Sequence, residues 1–248
     1  MILMYHHVCP VDKVPTEVVP LEGWRYCISP TDFRRQLQRL RKYGWTFVSL
    51  ETYVAGLETG ETRRNRWLSV TFDDGWLDNF QYAVPILTEL SVPGTIFVVA
   101  GAMAGVPAER RMTVSQLRQL SGANVEVGAH TRTHPNLPTL GDTQLQGEIG
   151  GAKQDLEQLL ARPVRYLAYP GGRFNQRVVE SVQSAGYDAA CSVIGGGWNS
   201  AATRYWLYRD VFTDEMNSLK DRVKSSPVWR NLLHWRAERC VRQRLHGR

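Results

Sequence analysis

The chain has 248 residues, of which 43 % are hydrophobic and 22 % charged, a composition that suits one globular domain and excludes collagen-like, coiled-coil and wholly disordered chains. No apolar run reaches the roughly eighteen residues of a membrane-spanning helix. The net charge is +6, but nine basic and two acidic residues lie between positions 220 and 248. The body of the chain is therefore almost neutral, and we expect no nucleic-acid partner.

The N-terminal segment and the cysteines bear on location. Residues 1–8 contain no basic n-region, no apolar stretch of signal-peptide length and no small-residue cleavage site, so export is not expected. The four cysteines are scattered without a C-x-x-C pair, which excludes a zinc knuckle and a thioredoxin-type motif. Scattered cysteines suit a reducing compartment, and we predict a cytoplasmic protein.

Short apolar runs, rich in β-branched and aromatic residues, alternate with helical patterns along most of the chain. The runs are residues 2–5, 46–50, 68–72, 95–99, 125–129, 166–169 and 189–193. Ser29-Pro30 predicts the start of one helix, and apolar residues at steps of three and four predict others over 145–159 and 178–182. The alternation predicts parallel βα units, arranged as an open doubly wound sheet or a barrel.

Two segments fit neither pattern. Residues 9–27 carry three prolines and Trp24, and we predict a long functional or disordered loop. Residues 194–204 contain Gly-Gly-Gly-Trp, but they lack the strand–turn–helix context of a dinucleotide site and predict a second loop.

Two adjacent carboxylates, Asp73 and Asp74, follow the predicted strand 68–72 and precede Gly75. Unpaired charge is costly at the end of a buried strand, and a divalent cation or a catalytic role would account for it. The alternative is an ordinary Asp-Gly turn that caps a helix near Leu77.

Two histidines, His130 and His134, lie four residues apart after the predicted strand 125–129. We predict a helical turn that brings both imidazoles to one side, where their neutral nitrogens can bind one metal ion. With one carboxylate they form a ligand set for zinc, iron, cobalt or nickel that leaves positions for water and substrate. The alternative for either histidine is a purely structural role.

Two further strand ends carry polar groups. Pro170-Gly171-Gly172 follows the run 166–169 and offers backbone amides for an oxyanion, although a plain Pro-Gly turn fits equally well. Tyr5-His6-His7 places imidazoles at the end of the first strand. Since active sites of parallel α/β folds lie at strand carboxyl ends, the four signals together predict one composite metal site.

Thr71-Phe72-Asp73-Asp74-Gly75 and His130-Thr131-Arg132-Thr133-His134 resemble, in order and spacing, two motifs of the polysaccharide deacetylases, the NodB-homology or carbohydrate esterase family 4 enzymes. The resemblance covers residues 1–212 and leaves 213–248 as a basic helical tail. It implies a single-domain α/β fold, a distorted (β/α)7 barrel, and a metal-dependent hydrolase that removes an N-acetyl group from an amino sugar of a glycan or glycan precursor.

The resemblance also implies roles for individual residues. Asp73 corresponds to the general base, and Asp74, His130 and His134 correspond to the ligands of a divalent metal. We expect zinc first, with cobalt, nickel or iron as alternatives.

The third family motif departs from the usual Arg-Pro-Pro-Tyr-Gly, since residues 168–172 read Ala-Tyr-Pro-Gly-Gly. The Gly171 amide keeps the oxyanion role that the resemblance implies. The arginine that normally braces the base is missing, and Arg209-Asp210 is a candidate replacement.

Ala-Tyr-Pro in this stretch resembles the circularly permuted poly-N-acetylglucosamine deacetylases, whose general-acid histidine comes from an N-terminal Tyr-His motif. On this resemblance His6 is the general acid, ahead of His7. Leu232-Leu233-His234 matches the late family motif only superficially, and we discount it.

Sugars commonly stack on aromatic faces at the rim of a groove. We expect the carbohydrate to contact Trp24, Trp76, Tyr169 and Pro170, with Trp198 as a further rim candidate. Two other functions remain open: an O-acetyl esterase or deformylase on the same metal site, and a non-catalytic barrel whose basic tail binds lipid, RNA or a partner. The complete Asp-Asp and His-x-x-x-His set disfavours the non-catalytic barrel.

The basic tail predicts a helix that begins at Ser226-Pro227. Its apolar residues gather on one side and are flanked by arginines: Trp229, Leu232, Leu233, Ala237, Cys240 and Val241. This arrangement is typical of a helix at the surface of an anionic membrane, and it predicts peripheral contact with the inner face of the membrane. The alternative is a helix that packs on the barrel and exposes a basic side.

Overall fold

A computed structural model describes residues 1–10, 26–102, 105–211 and 227–246, with side chains from 233 onward in the last range. The strands in these ranges are β1 Ile2–Tyr5, β2 His7–Val8, β3 Cys27–Ile28, β4 Thr46–Phe47, β5 Trp67–Phe72, β6 Gly94–Val98, β7 Val125–Ala129, β8 Tyr166–Ala168, β9 Ala189–Cys191 and β10 Asp210–Val211. The α-helices are α1 Pro30–Lys42, α2 Leu50–Ala55, α3 Glu61–Arg64, α4 Val84–Glu89, α5 Val114–Gln119, α6 Asp142–Leu160, α7 Gln176–Ser184 and α8 Pro227–His246.

Eight of these strands form one curled parallel sheet with the order β10-β1-β5-β6-β7-β8-β9, in which β4 pairs with the start of β5. Strands β2 and β3 pair with each other in a separate two-stranded sheet. Leu207 makes a parallel bridge with Cys191 at the end of β9, and β10 pairs with β1. The short segment 207–211 therefore links the two edges of the sheet. The predicted distorted (β/α)7 barrel of the α/β class is confirmed.

The core has two parts because alternate residues of each strand point to opposite faces of the sheet. The larger part packs the helices against the outer face and includes Leu3, Val70 and Ile96. The smaller part lies on the other face and includes Ile2 and Phe97. Such burial on both faces is typical of central parallel strands.

The helices begin where side chains cap them. Ser29 accepts the N–H of Asp32, and Pro30 occupies the first turn of α1, as the sequence predicts. The predicted strand 46–50 is partly wrong, since β4 ends at Phe47. Ser49 accepts the N–H of Thr52 and starts α2 there.

Other departures from the predicted elements concern very short strands. The sequence does not predict β2, β3 or β10, because two residues carry no periodic pattern. Residues 11–25 of the predicted loop 9–27 lie outside the described residues. The predicted boundary between residues 212 and 213 also lies beside a range, 212–226, outside the described residues, and it stays a prediction.

Helix α8 packs against the body of the protein. Ala237 and Val241 are buried in the larger core, and Cys240 packs against it. Three residues of the predicted apolar side thus face the barrel, as in the alternative of a helix that covers its own core. Trp229 and Leu232 are outside the described side chains. None of the described helices combines the length and apolarity that crossing a membrane requires.

Candidate active site

Asp73 and Asp74 lie buried at the carboxyl end of β5. The Asp73 N–H donates to Tyr5 O at 3.0 Å and continues the pairing with β1. Asp74 has a φ of +73°, rare for a residue with a side chain, so the chain turns sharply there. The Trp76 indole N–H donates to Asp74 Oδ2 at 3.2 Å. Asp74 Oδ1 is buried without a hydrogen-bond partner among the described residues.

His130 follows β7 and faces this free carboxylate oxygen. Its Nδ1–H donates to Ala168 O at 2.8 Å, which leaves Nε2 as the unprotonated nitrogen, 3.4 Å from Asp74 Oδ1. Burial lowers the pKa of His130 to about 4, although Asp73 and Asp74 act in the opposite direction. At neutral pH His130 is therefore an uncharged imidazole whose Nε2 lone pair is available.

His134 reaches the same oxygen through a loop, so the predicted helical turn is wrong. Thr131 and His134 have φ values of +65° and +61°, and the His134 N–H donates to Thr131 Oγ1 at 3.0 Å. The loop places His134 Nε2 at 3.6 Å from Asp74 Oδ1. Two left-handed residues thus bring together the side chains that the four-residue spacing singled out.

The three side chains fit a divalent metal ion. One ligand atom from each of Asp74, His130 and His134 lies within 4.8 Å of the others. A tetrahedral ion with ligands at about 2 Å holds them roughly 3.3 Å apart, close to the 3.4 and 3.6 Å between the imidazole nitrogens and Asp74 Oδ1. The unpartnered buried oxygen of Asp74 agrees with this, because buried polar atoms otherwise find a partner.

Asp73 is held by a different partner, Arg209. Arg209 Nη1 and Nη2 donate to Asp73 Oδ1 and Oδ2 at 2.7 Å each. Burial would raise the pKa of Asp73, but Arg209 and then His130 hold it well below its usual range. Asp73 is thus ionised throughout the neutral range. Arg209, a candidate brace in the sequence, makes this contact in the structure.

His6 lies at the same edge of the sheet. Its Nδ1 is buried without a hydrogen-bond partner among the described residues, and its ring lies 4.5 Å from that of Tyr26. Asn79 Nδ2 donates to the His6 carbonyl at 2.8 Å and fixes the backbone. Burial lowers the pKa of His6, while the carboxylates of Asp74 and Asp73 oppose that shift.

His7 has a different setting. Its Nδ1–H donates to Asp78 Oδ2 at 2.5 Å, and its ring lies 4.5 Å from the Trp76 ring. His7 therefore supports the side chain that donates to Asp74 and is tied to a carboxylate of its own. This arrangement favours His6 over His7 as the group that meets substrate.

Gly171 follows β8 within the short helical turn Pro170–Gly172. It is exposed and has a φ of +55°, close along the chain to the Ala168 carbonyl that His130 contacts. Gly172 must be glycine, because a Cβ there would lie 2.3 Å from Val193 Cγ2. Pro170 is buried.

The aromatic residues predicted at the rim lie elsewhere or are enclosed. Trp76 and Tyr169 are only 2 % and 0 % exposed, and the Tyr169 hydroxyl donates to Tyr205 O at 2.8 Å. Neither ring presents a free face to solvent, contrary to the expected stacking platform. Trp24 lies outside the described residues.

Trp198 lies away from the carboxyl ends of the strands. Its ring is covered by the Arg63 guanidinium at 4.6 Å, and its neighbour Asn199 donates to the Tyr53 hydroxyl, which also accepts from the Met1 amino group. Because Met1 precedes β1, this is the amino end of the barrel. The rim position expected for Trp198 is wrong. His234 accepts the Trp198 N–H at 3.2 Å and shares this region.

A cleft of about 460 Å³ opens beside Trp76. It is lined by side chains of three segments, His7, Trp76, Asp78, Tyr82, Glu109 and Arg110 among them. The cleft has polar and aromatic walls and adjoins the residue that donates to Asp74. No sequence pattern marks it, because its walls come from three separate stretches of chain.

An unpartnered carboxylate oxygen faces two imidazoles beside an ionised second carboxylate, at the carboxyl edge of a parallel barrel. Such a group of side chains could hold a metal ion and place a base beside it, an arrangement suited to hydrolysis. The family model for polysaccharide deacetylases matches residues 60–190, more than half of the chain. The chain belongs to the polysaccharide deacetylase family, as the motif resemblance predicts.

Known relatives agree with this assignment. YxkH of Bacillus subtilis (strain 168), named as a polysaccharide deacetylase, is 22 % identical over 208 residues, 84 % of this chain and 69 % of its own. Poly-beta-1,6-N-acetyl-D-glucosamine N-deacetylase of Staphylococcus aureus (strain MRSA252) is 20 % identical over 77 % of this chain and 69 % of its own.

Solved structures share the fold over nearly the whole chain. The Streptococcus pyogenes deacetylase PplD, in complex with acetate, superposes with a TM-score of 0.79 and 25 % identity, covering 91 % of this chain and 97 % of its own. IcaB from Ammonifex degensii superposes with a TM-score of 0.73 and 23 % identity, covering 93 % and 96 %.

Proposed function

We propose that this deacetylase is a metal-dependent hydrolase that removes an N-acetyl group from an amino sugar in a polysaccharide, oligosaccharide or lipid-linked glycan precursor. Family membership and the activity named for the Staphylococcus aureus relative support this substrate class. The observation that carries the proposal is Asp74 Oδ1, a buried, unpartnered oxygen that faces His130 Nε2 and His134 Nε2 at 3.4 and 3.6 Å.

Asp74, His130 and His134 would hold the divalent ion. We expect zinc, with cobalt, nickel or iron as alternatives, because two imidazoles and one carboxylate suit all four. When bound there, the ion supplies Lewis acidity, which polarises an acyl carbonyl and lowers the pKa of a water toward about 7.

Asp73 is the proposed general base. Arg209 keeps it ionised and orients it by two hydrogen bonds, and each carboxylate oxygen retains a second lone pair that can accept a proton from the attacking water. Because the pKa of Asp73 is held low, its carboxylate is a weak base.

His6 is the proposed general acid. An amine leaves an amide poorly unless it receives a proton, and the buried imidazole of His6 lies near both carboxylates. A histidine with a lowered pKa is protonated in fewer molecules, but it gives up its proton more readily once charged. The Gly171 N–H is proposed to donate to the acyl oxygen as negative charge develops there.

The cleft beside Trp76 is the proposed path for the sugar. Its volume of about 460 Å³ accommodates a hexosamine unit, and Asp78 and Glu109 can bind hydroxyl groups along its walls. The buried Trp76 supports the Asp74 carboxylate, so we do not assign it a stacking role.

The proposal is tested by measuring the acyl group released from three substrates: an N-acetylglucosamine oligomer, an O-acetylated sugar and an N-formylated amino sugar. Acetate from the first substrate at the highest rate supports the proposal. A preference for the second or third would identify an O-acetyl esterase or a deformylase. No release from any of them would favour a non-catalytic barrel.

We further propose that the protein acts in the cytoplasm, in peripheral contact with anionic lipid at the inner face of the membrane. The support is the outer side of α8, where Trp235 is 64 % exposed beside the exposed Arg236, Arg239 and Arg242. Cell fractionation tests the location, and flotation with anionic and with neutral vesicles tests the contact. A protein that stays unbound to anionic vesicles at low salt contradicts the contact.

A further inference from the structure

We propose that Glu148, on helix α6, is a positioning residue for the metal-binding loop 130–134, an inference that rests on the proposed function of Asp74, His130 and His134. Glu148 lies 14 positions beyond His134 in the chain and is proposed to touch neither metal nor substrate. It would act by holding the backbone that carries His134.

The Glu148 carboxylate accepts three hydrogen bonds from this loop. The backbone N–H groups of Arg132 and Thr133 both donate to Oε2 at 2.9 Å, and the Thr133 hydroxyl donates to Oε1 at 2.7 Å. Two successive amides that converge on one oxygen fix the direction of the backbone immediately before His134. The Glu148 carboxylate therefore accepts both backbone N–H groups and the hydroxyl on this side of the loop.

The loop needs such support because of its conformation. Thr131 and His134, the residues on either side of the two bound amides, both have positive φ values, a region that side chains disfavour. Strained backbone persists only where its surroundings over-determine it. Without Glu148 the loop can relax, and His134, which is partly exposed, is the ligand free to move.

The opposite side of the loop is held by residues 100 and 101, which follow β6. The N–H groups of Ala100 and Gly101 donate to the carbonyls of Thr131 and Arg132 at 2.9 and 2.8 Å. These bonds fix the carbonyl groups but leave the amides of Arg132 and Thr133 unbound. Glu148 and residues 100–101 thus hold the loop from two sides, and among the described residues Glu148 alone accepts the amides of Arg132 and Thr133.

Helix α6 is shaped to approach the loop this closely. The Arg132 guanidinium binds Asp155, about two turns beyond Glu148, through Nε and Nη2 at 2.6 and 2.8 Å. It lies against Gly151, where a Cβ would be 2.6 Å from Arg132 Cζ. A side chain at position 151 would displace the Arg132 guanidinium, so the glycine leaves room for the contact between Arg132 and Asp155 beside Glu148.

The test compares the affinity of metal-free protein for zinc, measured by competition with a chelator, among the wild type, Glu148→Ala and Glu148→Gln. We expect Glu148→Ala to weaken zinc binding about tenfold or more, as for residues that support metal ligands indirectly. Glu148→Gln keeps an oxygen that can accept both amides and is expected to stay within about threefold of the wild type. The visible spectrum of bound cobalt should change in Glu148→Ala and not in Glu148→Gln.

Gln146→Ala provides the matched control, because Gln146 is an exposed residue of the same helix. It should bind zinc like the wild type. Wild-type zinc affinity and an unchanged cobalt spectrum in Glu148→Ala would overturn the inference, as would an equal loss in Glu148→Gln. If Glu148→Ala does not fold, Glu148→Asp, which withdraws the carboxylate by one methylene, replaces it; weaker binding supports the inference and wild-type binding overturns it.

The outcome separates this inference from the proposed metal site. A wild-type protein that binds no zinc and no cobalt would contradict the metal site itself. A wild type that binds both as tightly as its Glu148→Ala variant would contradict only the role of Glu148.

Discussion

Arg209 and Asp73 form a bidentate ion pair in which each carboxylate oxygen accepts one guanidinium N–H at 2.7 Å. The two residues lie 136 positions apart in the chain and are both buried. Arg209 also donates to Ser192 O at 2.7 Å and to Thr71 Oγ1 at 3.2 Å. The pair joins β5 to the segment before β10, so it both ties that segment to the barrel and orients the proposed base.

We expect Arg209→Met to lower the free energy of unfolding by about 3–5 kcal/mol, the usual effect of leaving one member of a buried ion pair alone. Urea denaturation of metal-free protein measures the change. The double variant Asp73→Asn/Arg209→Met serves as the control, since it removes both charges and should be less destabilised than Arg209→Met. Equal free energies of unfolding for the wild type and Arg209→Met would contradict the proposed contribution of the ion pair to stability.

Replacing the two aspartates one at a time should distinguish the role of general base from the role of metal ligand. Asp73→Asn is expected to retain near wild-type zinc content and to lose about 10²- to 10⁴-fold in turnover, because a general base is lost while the ligands remain. Asp74→Ala should lose both zinc and activity. Metal analysis and acetate release on the same samples measure this, and a fully active Asp73→Asn protein would end the assignment of the base.

His6→Ala should reduce turnover of an amide far more than that of an activated ester. The ester leaving group needs no proton, whereas the amine of an amide does. The measured quantity is the ratio of the two losses. Equal losses would indicate a structural role for His6 and return attention to His7, which is the other imidazole at the end of β1.

Glu126 predicts a pH dependence of stability. Burial raises its pKa from the ordinary 4.5 to about 7, with a further upward contribution from Glu51. Because the folded state holds this proton more tightly than the unfolded chain, Glu126 lowers stability as the pH rises from about 4.5 to 7. Glu126→Gln should therefore melt at a higher temperature than the wild type at pH 8, with little difference at pH 4.

Glu157→Gln is the control of opposite sign. Burial alone would raise the pKa of Glu157, but its bonds to the Val164 N–H and to Lys153 lower it overall, so this variant should lose stability at pH 8. Thermal unfolding of metal-free protein at the two pH values measures both effects. An equal change in melting temperature for Glu126→Gln at pH 4 and at pH 8 would contradict the raised pKa of Glu126.

Much of the site could be predicted because it sits at strand ends. Asp73, Asp74 and His130 each follow a run of apolar residues that forms a strand, and parallel strands bring their carboxyl ends to one edge. The four-residue spacing of His130 and His134 is enough to predict that the two imidazoles lie together. It is not enough to predict the loop, because the backbone there is bound by Glu148 and by residues 100–101, which are distant in the chain.

The remaining features depend on contacts that no local pattern records. Arg209 meets Asp73 across 136 positions, and it becomes a brace only once β10 has paired with β1. Trp76 and Tyr169 follow strand ends, yet Asp74 and the Tyr205 carbonyl satisfy their polar atoms inside the protein. Trp198 occurs in a glycine-rich loop, and only the path of the chain shows that this loop reaches the amino end of the barrel.

Metal-dependent deacetylation is tested most directly by acetate release from an N-acetylglucosamine oligomer in one preparation whose metal content is measured at each step. We expect release by the zinc-loaded protein, its loss when a chelator removes the metal, and its return when zinc is added back, with none of the three responses in Asp74→Ala. Undiminished acetate release by protein shown to be free of metal would contradict the proposed mechanism.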